Sequence, residues 1–405
     1  MSAETAPTLD HAAPAGSRPR ARGRAALHRA APALGLFAAA RLLGMVCLAL
    51  WAWRLDRSPR MLLASSWDSD WYARIAAHGY GYTLHWPDGV VQSDLAFFPL
   101  YPGLIRAVTA VLPVTGGTAG LLLSWAAAGA AAGGIYLVGE RLYGRAVGTA
   151  LVLLWGLLPH AIVVCMAYTE PLLTAFAAWS LYAVLTRRWL WAGALAALAG
   201  LARPNGIAVA AAVLVAAGCE GYRWLRERRG AAPGAAVARP GWRVAVAAAL
   251  APAGWTGYVL WVGARRGDWL SGYFAVQEGW TSRFDLGAGA LRTVRAIVTR
   301  PMDLGFTMAL VFTAVGVLLF VLLCLARPPL PLLVYTAVLV LIVAGGSGFF
   351  ESKPRFLLPA FPLLLPLAHA LRRARPGAAI AVVAALAGLS FAYGAYLLTL
   401  ATMAL

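Results

Sequence analysis

The stretch "SSWDSDWYARIAAHGYGY", residues 65–82, follows the first long apolar run of the chain. It gathers two carboxylates, an arginine, a histidine and five aromatic rings. Long apolar runs dominate the sequence around it. The stretch therefore marks a segment that lies outside those runs.

The composition is that of a helical membrane protein. Of the 405 residues, 61% are hydrophobic and 12% are charged, whereas soluble domains carry about 25% charged residues. Apolar runs close to the roughly 20-residue length of a membrane span recur from residue 33 to the end. A soluble helical protein would show helices with polar faces instead. The sequence thus predicts an all-α, polytopic integral membrane protein.

The arginines predict the orientation of the chain. Residues 1–32, rich in Pro, Ala and Arg, are expected to form a disordered basic cytoplasmic tail, and residues 33–405 the transmembrane domain. The net charge of +18 is explained by arginines in short inner loops and by contacts with anionic membrane lipids. We therefore expect a multi-pass protein of the cell (plasma) membrane with no nucleic-acid partner.

We predict about 11 spans, a number that depends on a break at "LARPNG", residues 201–206, where proline and glycine divide one apolar run. This break keeps the arginine-rich loop at 220–243 inside. The predicted spans are 35–53, 118–138, 146–163, 169–186, 189–202, 205–219, 243–263, 304–325, 329–346, 355–371 and 377–401.

Two long segments, 54–117 and 264–303, then lie on the extracytoplasmic side and collect most of the acidic residues. In the first, "DWYARIAAHG" is expected to form a short helix ended by Gly79. The apolar run that follows is interrupted by Pro99 and Pro102, which favours an interfacial or re-entrant segment. This acid bias suggests that the outer face has a function, although ordinary hydrophilic loops are the alternative.

At these residues the chain resembles the PIG-V-like family, the mannosyltransferases related to GPI mannosyltransferase 2. The resemblance covers roughly residues 60 to 370, and the Ala-, Gly- and Arg-rich composition is similar to that of high-GC actinobacterial proteins. It rests on "SSWDSDWYARIAAHGY" (65–80), "SDLAFFPLYPGLIR" (93–106), "AYTEPLLTAFAAW" (167–179), "AALAGLARPNG" (196–206) and "ESKPRFLLPAFPLL" (351–364).

The resemblance implies a GT-C fold and transfer of mannose from a polyprenyl-phosphate-mannose donor on the extracytoplasmic side. It also implies that an acid of the first outer loop is the catalytic base, which we assign to Asp68. An acceptor hydroxyl that attacks a sugar must lose a proton, which calls for one positioned carboxylate. Asp70 departs from the family pattern. It either orients the acceptor, shares a divalent cation (Mg or Mn) with Asp68, or is a solvated residue at a helix N-terminus.

Fixed cations are needed where charge develops on the departing phosphate. Lys353 and Arg355 are the first candidates, with headgroup anchoring as the alternative. Arg203 lies at the break between two apolar halves, where a charge requires a cavity or a partner. His78 is a further candidate for the phosphate, with a structural role as the alternative.

Acceptor or sugar contacts are assigned to Trp67, Tyr168, Glu170, Gln277 and Trp280. Tryptophan stacks on sugar faces but also anchors segments at the membrane interface, and Glu170 equally suits a helix N-terminus. The four cysteines have no metal-ligand spacing and are best explained as packing residues.

Three other functions remain open from the sequence. A GT-C transferase for another sugar or a protein acceptor would share these motifs. A lipid or solute transporter would show internal repeats and polar residues at mid-membrane, and a scaffold subunit would need no acid at residue 68. The acceptor itself, whether lipid, glycan or protein, is not readable.

Overall fold

The computed structural model describes residues 19–87, 89–231 and 241–401, with side chains from residue 28 onward. The described chain is mostly helical, which confirms the all-α prediction. The first nine helices are α1 (Pro19–Arg54), α2 (Pro59–Ala64), α3 (Asp68–His78), α4 (Leu100–Val111), α5 (Gly116–Tyr143), α6 (Arg145–Gly156), α7 (Glu170–Leu185), α8 (Trp189–Ala202) and α9 (Ile207–Gly230).

The second half continues in the same way. Its helices are α10 (Trp242–Leu250), α11 (Ala253–Arg266), α12 (Gly272–Gly279), α13 (Ala288–Thr299), α14 (Leu304–Leu325), α15 (Leu330–Gly345), α16 (Lys353–Phe356), α17 (Leu365–Arg373) and α18 (Pro376–Thr399). One small antiparallel hairpin, β1 (Thr83–His85) and β2 (Val91–Ser93), pairs Leu84 with Gln92.

Six helical stretches of the described chain are long and apolar enough to cross a membrane, as expected for a multi-pass protein. They are His28–Arg54, Gly116–Tyr143, Pro204–Gly230, Trp242–Arg266, Leu304–Leu325 and Pro376–Thr399. A seventh is counted if the bent pair Phe350–Phe356 and Phe361–Arg373 forms one span. The other predicted spans correspond to the shorter apolar helices α6, α7, α8 and α15, so the number 11 is not confirmed.

Two predicted spans are not straight helices. The helix predicted at 146–163 ends at Gly156, three residues before Pro159, and residues 157–169 continue as irregular chain and a short 3-10 turn. The span predicted at 355–371 is bent by 78°, in a stretch with several prolines that remove backbone donors. Irregular backbone at such depth requires protein partners for its polar groups.

Those partners are present for residues 157–169. Carbonyl oxygens of this segment accept hydrogen bonds from the side chains of Ser69, Ser124, Trp125 and Ser390, at 2.7 to 3.2 Å. The donors come from α3, α5 and α18. The irregular segment is therefore fixed by three helices, and it leads directly into the N-terminus of α7.

Three helix boundaries can be compared with those predicted from the sequence. The break at "LARPNG" is present as a 3-10 turn, Pro204–Gly206, between α8 and α9. Helix α1 already begins at Pro19, inside the range expected to be a disordered tail, while residues 1–18 lie outside the described residues. Helix α9 extends to Gly230, into the predicted inner loop, and residues 232–240 of that loop are likewise outside.

The first long segment, 54–117, folds as predicted at its start. Helix α3 ends at Gly79, whose φ of 78° suits glycine. The apolar run with two prolines becomes the 12-residue helix α4, too short to span a membrane alone. Helix α3 packs on α4 and α5, which positions its N-terminus against the bundle.

Candidate active site

Four charged side chains from four distant parts of the sequence form one cluster, which we call the Asp68 cluster: Asp68, Glu170, Arg203 and Arg355. Arg355 Nη1 lies 3.0 Å from Asp68 Oδ2, and its Nε lies 3.2 Å from Glu170 Oε1. Arg203 Nη1 lies 2.7 Å from the same Glu170 oxygen. Two carboxylates and two guanidinium groups make the cluster neutral, which reduces the cost of burying it.

The two carboxylates differ in their access to solvent. The Glu170 side chain is 1% exposed, whereas the Asp68 side chain is 19% exposed. Glu170 is therefore enclosed between the two arginines and holds them in place. Asp68 is the carboxylate of the cluster that a substrate can reach.

A strained backbone precedes Asp68. Trp67, the N-cap residue of α3, has φ 48° and ψ −111°, and no side chain caps this helix end. A bulky residue at positive φ costs free energy and persists only where the surroundings impose it. The Ser69 hydroxyl, which donates to the Ala167 carbonyl at 3.2 Å, is one such constraint. The start of α3 is thus fixed against the segment that carries Tyr168 and Glu170.

Hydrogen bonds extend the cluster into α3. Arg203 Nη1 donates to the Thr169 hydroxyl at 2.9 Å, and the Tyr72 hydroxyl lies 3.2 Å from the same Thr169 oxygen. Burial raises the pKa of the Tyr72 phenol, which therefore stays protonated. The sequence did not assign Thr169 or Tyr72 to the site, although Thr169 stands between the assigned residues Tyr168 and Glu170, and Tyr72 stands two residues after Asp70.

Aromatic rings enclose Arg355. Its guanidinium carbon lies 5.1 Å from the centroid of the Tyr168 ring and 5.0 Å from that of Phe356, distances typical of cation–π contacts. The structure thus brings together Asp68, Tyr168, Glu170, Arg203 and Arg355 of the residues assigned from sequence.

Asp70 and His78 lie apart from the cluster on α3. Residues two positions apart on a helix do not face each other, and Asp70 is exposed where Asp68 turns toward Arg355. Partial desolvation raises the pKa of the Asp70 carboxyl, and Arg74 opposes this. His78 is exposed and lies ten residues after Asp68, about 15 Å along the helix.

Lys353 is buried and makes backbone contacts. Its ammonium group donates to the carbonyl oxygens of Val343 and, at 2.7 Å, of Gly346. These carbonyls belong to the C-terminal end of α15 and the residue after it, where helix carbonyls lack partners. Lys353 thus caps a helix in this structure, two residues before Arg355.

Gln277 and Trp280 join the two long segments. Gln277 Nε2 donates to the Ala96 carbonyl at 3.3 Å, and Trp280 Nε1 to the Ser93 carbonyl at 2.9 Å. The Trp280 ring packs edge-on against Trp71, with centroids 5.0 Å apart. We call the rings of Trp71, Phe97 and Trp280 the aromatic layer. Trp71 stacks on Phe97, and Trp280 meets both of them edge-on.

No group of three or more His, Cys, Asp or Glu residues with metal-binding geometry occurs within residues 19–87, 89–231 and 241–401. The Asp68 cluster itself offers one accessible carboxylate beside two buried cations.

Comparisons with known proteins give similarities of structure only. No known family and no curated protein matches the sequence. The chain is similar to the Archaeoglobus fulgidus oligosaccharyltransferase in its apo form (12% identity, TM-score 0.46), covering 89% of this chain and 56% of that one. It is also similar to the same organism's oligosaccharyltransferase AglB with an inhibitory peptide and a dolichol-phosphate (14%, TM-score 0.45), covering 91% and 55%. This chain thus spans about half the length of those proteins.

Proposed function

We propose that this chain is a GT-C type glycosyltransferase that moves mannose from polyprenyl-phosphate mannose to an acceptor hydroxyl at the extracytoplasmic face of the membrane. The observation that supports the proposal most is the Asp68 cluster. It sets one solvent-accessible carboxylate against a buried arginine, Arg355, and a carboxylate suits the base of a transfer while an arginine suits the phosphate. The sequence resemblance supplies the sugar and the lipid.

The reaction needs one base and one cation in defined places. The acceptor oxygen forms a bond to the anomeric carbon, and its proton passes to the Asp68 carboxylate. The bond from that carbon to the phosphate oxygen breaks, and its electron pair leaves with the phosphate. Arg355 stabilises the charge that develops there. The configuration at the anomeric carbon is inverted.

Inversion also explains why the 3.0 Å contact between Asp68 and Arg355 belongs to a state without donor. In an inverting reaction the nucleophile and the leaving group lie on opposite faces of the sugar ring. In inverting glycosidases, the two catalytic carboxyl groups are accordingly roughly 6.5–9.5 Å apart. When the donor binds, its phosphate would therefore replace Asp68 as a partner of the Arg355 guanidinium. Glu170, which is enclosed, keeps its hold on Arg355 throughout.

The test is transfer of label from polyprenyl-phosphate mannose in membranes with and without the protein. Asp68→Asn keeps the size of the side chain. Because Asp68 is 19% exposed and pairs with Arg355 alone, whereas Glu170 pairs with both arginines, the variant should still insert and fold. Without a base, we expect turnover to fall by about 10²–10⁴-fold. Near-normal transfer by purified Asp68→Asn would show that Asp68 is not the base. The lipid, glycan or protein that gains label identifies the acceptor.

A second candidate is a lipid or solute transporter, since transporters place broken helices at their binding sites. The interrupted segments at 157–169 and 350–364 favour that reading. In the same assay a transporter would move a labelled lipid or solute across the membrane and label no acceptor.

A further inference from the structure

We propose that a polar cavity next to the aromatic layer is a second anion site, which binds a phosphate-bearing group separately from the Asp68 cluster. The cavity has a volume of about 460 Å³, within the range of small-molecule sites. Its polar lining consists of Glu278, Thr281, Arg283, Arg292, Thr293 and Ser347. We call it the Arg283 cavity.

The lining chemistry suits an oxyanion. Two guanidinium groups and the Thr281 hydroxyl are donors, while Glu278 is the one carboxylate of the lining. The hydroxyl groups of Thr293 and Ser347 already donate to the carbonyls of Gly289 and Arg283, at 3.2 and 3.1 Å. The side chains thus carry a net charge of +1 toward a ligand. Arginine forms two parallel hydrogen bonds to phosphate more readily than any other side chain.

Both arginines have donors to spare. Arg292 Nη2 lies 3.9 Å from Asp285 Oδ2, and the Arg292 side chain is 73% exposed. The two Asp285 oxygens already accept from the backbone N–H groups of Gly287 and Gly289, at 3.1 and 2.7 Å. For Arg283, no carboxylate in the described chain lies within 4.0 Å. A bound phosphate would therefore not have to displace a strong ion pair.

The wall of the cavity is preformed, which lowers the entropic cost of binding. Phe284 and Gly346 form an antiparallel bridge, and the Ser347 N–H donates to the Arg283 carbonyl at 2.7 Å. Gly348 has φ 76°, and a side chain there would collide with the Thr281 carbonyl oxygen. The backbone on both sides of Arg283 is thus fixed by the loop that precedes α16.

The cavity adjoins the proposed site of transfer. Phe349, the residue after Gly348, has its ring centroid 6.4 Å from that of Trp280, which packs on Trp71. Arg355 follows six residues later, in α16. The aromatic layer would thus lie between α3 and a ligand held at Arg283 and Arg292. Such a ligand can be an anionic part of an acceptor or of a neighbouring lipid that is held there during transfer.

The phosphate has two plausible sources. Helix α13 exposes Leu291 and Val298 together with Arg295, a pattern typical of a helix that lies at a membrane interface. A lipid headgroup could reach the cavity from that side, and a soluble phosphate ester from the water. The shared chemistry is the phosphate group, and the experiment separates the sources.

The experiment measures binding without turnover, so its result does not depend on the proposed transferase activity. Protein in phosphatidylcholine nanodiscs is titrated with glycerol 3-phosphate by calorimetry, and phosphatidylglycerol retained from mixed nanodiscs is counted by native mass spectrometry. The double variant Arg283→Ala, Arg292→Ala removes both cations. Arg106→Ala removes an exposed arginine of α4 that does not line the cavity. It is the matched control, and thermal unfolding verifies that each variant is folded.

We expect the double variant to lose at least about tenfold in affinity for glycerol 3-phosphate, or to retain at least about tenfold less phosphatidylglycerol, because charge-assisted hydrogen bonds are lost. The first result assigns a soluble ligand and the second a lipid headgroup. Arg106→Ala should behave as the wild type. The proposal is overturned if the wild type binds neither probe, if the double variant binds both normally, or if Arg106→Ala loses as much.

Discussion

At the scale of single residues, Glu170 supports the site without reaching a substrate. Its carboxylate is 1% exposed and lies within 3.2 Å of Arg203 and Arg355. Glu170→Gln would leave two buried guanidinium groups with one carboxylate. Breaking a buried ion pair costs about 3–5 kcal/mol, so we expect the free energy of unfolding in detergent to fall by about that amount.

The control for this prediction is Glu227→Gln, an exposed acid at the end of α9. It should change the free energy of unfolding by less than about 0.5 kcal/mol. Adding Arg203→Met to Glu170→Gln removes the surplus cation and should recover part of the loss. An unfolding free energy of Glu170→Gln equal to that of the wild type would mean that the cluster does not stabilise the protein.

Variants of Lys353 and Arg355 should differ in their effects, although the sequence assigns both residues to the donor phosphate. Lys353 holds the carbonyls at the end of α15, so Lys353→Met should cost about 1–2 kcal/mol of stability and leave the KM for polyprenyl-phosphate mannose unchanged. Arg355→Lys keeps the charge but loses the planar fork between Asp68 and Glu170. We expect it to raise that KM about tenfold or more.

The measurement is initial-rate kinetics at several donor concentrations, combined with unfolding curves for both variants. A raised KM in Lys353→Met would show that Lys353 takes part in binding the donor phosphate. An unchanged KM in Arg355→Lys would leave the cluster a purely structural role.

At the scale of elements, the position of α3 depends on close packing along α5. A Cβ at Gly120 would lie 2.9 Å from the Ala167 Cβ and 3.2 Å from the Tyr101 hydroxyl. Gly120→Ala should therefore push α5 from the irregular segment and cost about 1–3 kcal/mol. Gly129→Ala, on the same helix, meets nothing within 4 Å and should be neutral or slightly stabilising. Unfolding of both variants in detergent tests the difference, and equal effects would contradict it.

The same elements show how far the sequence predicts the structure. Helix α3 and the break at Pro204 were predicted because their signals are local: a glycine that ends a helix and a proline that interrupts one. The irregular segment at 157–169 was not, because its carbonyls are satisfied by side chains of α3, α5 and α18. Such partners are distant in sequence, and periodicity does not reveal them.

The site follows the same rule. Asp68, Glu170, Arg203 and Arg355 were each singled out by local motifs, but their mutual contacts depend on long-range packing. The sequence assigned Glu170 to the acceptor and Lys353 to the phosphate, assignments that stay predictions, because each residue stands at the predicted outer end of a span. Their burial places the first between two arginines and the second on a helix end, and burial of a side chain depends on the whole fold.

At the scale of the whole molecule, the charge distribution implies one orientation. The arginine-rich turn between α17 and α18 is expected inside, and the Asp68 cluster with segments 54–117 and 264–303 outside. Orientation decides the chemistry, because a polyprenyl-phosphate sugar must reach Asp68 on the side where the acceptor lies. The direction of the chain is therefore the most general test of the proposed function.

Cysteine labelling checks this orientation. Ala77→Cys lies exposed on α3, and Ala374→Cys lies exposed between α17 and α18. A membrane-impermeant maleimide should label the first in intact cells and the second only after permeabilisation, with the parent protein and its four cysteines as background. The reverse pattern would place Asp68 in the cytosol, where nucleotide sugars are the usual donors. Transfer from an outward-facing lipid donor would then be impossible, whatever the geometry of the cluster.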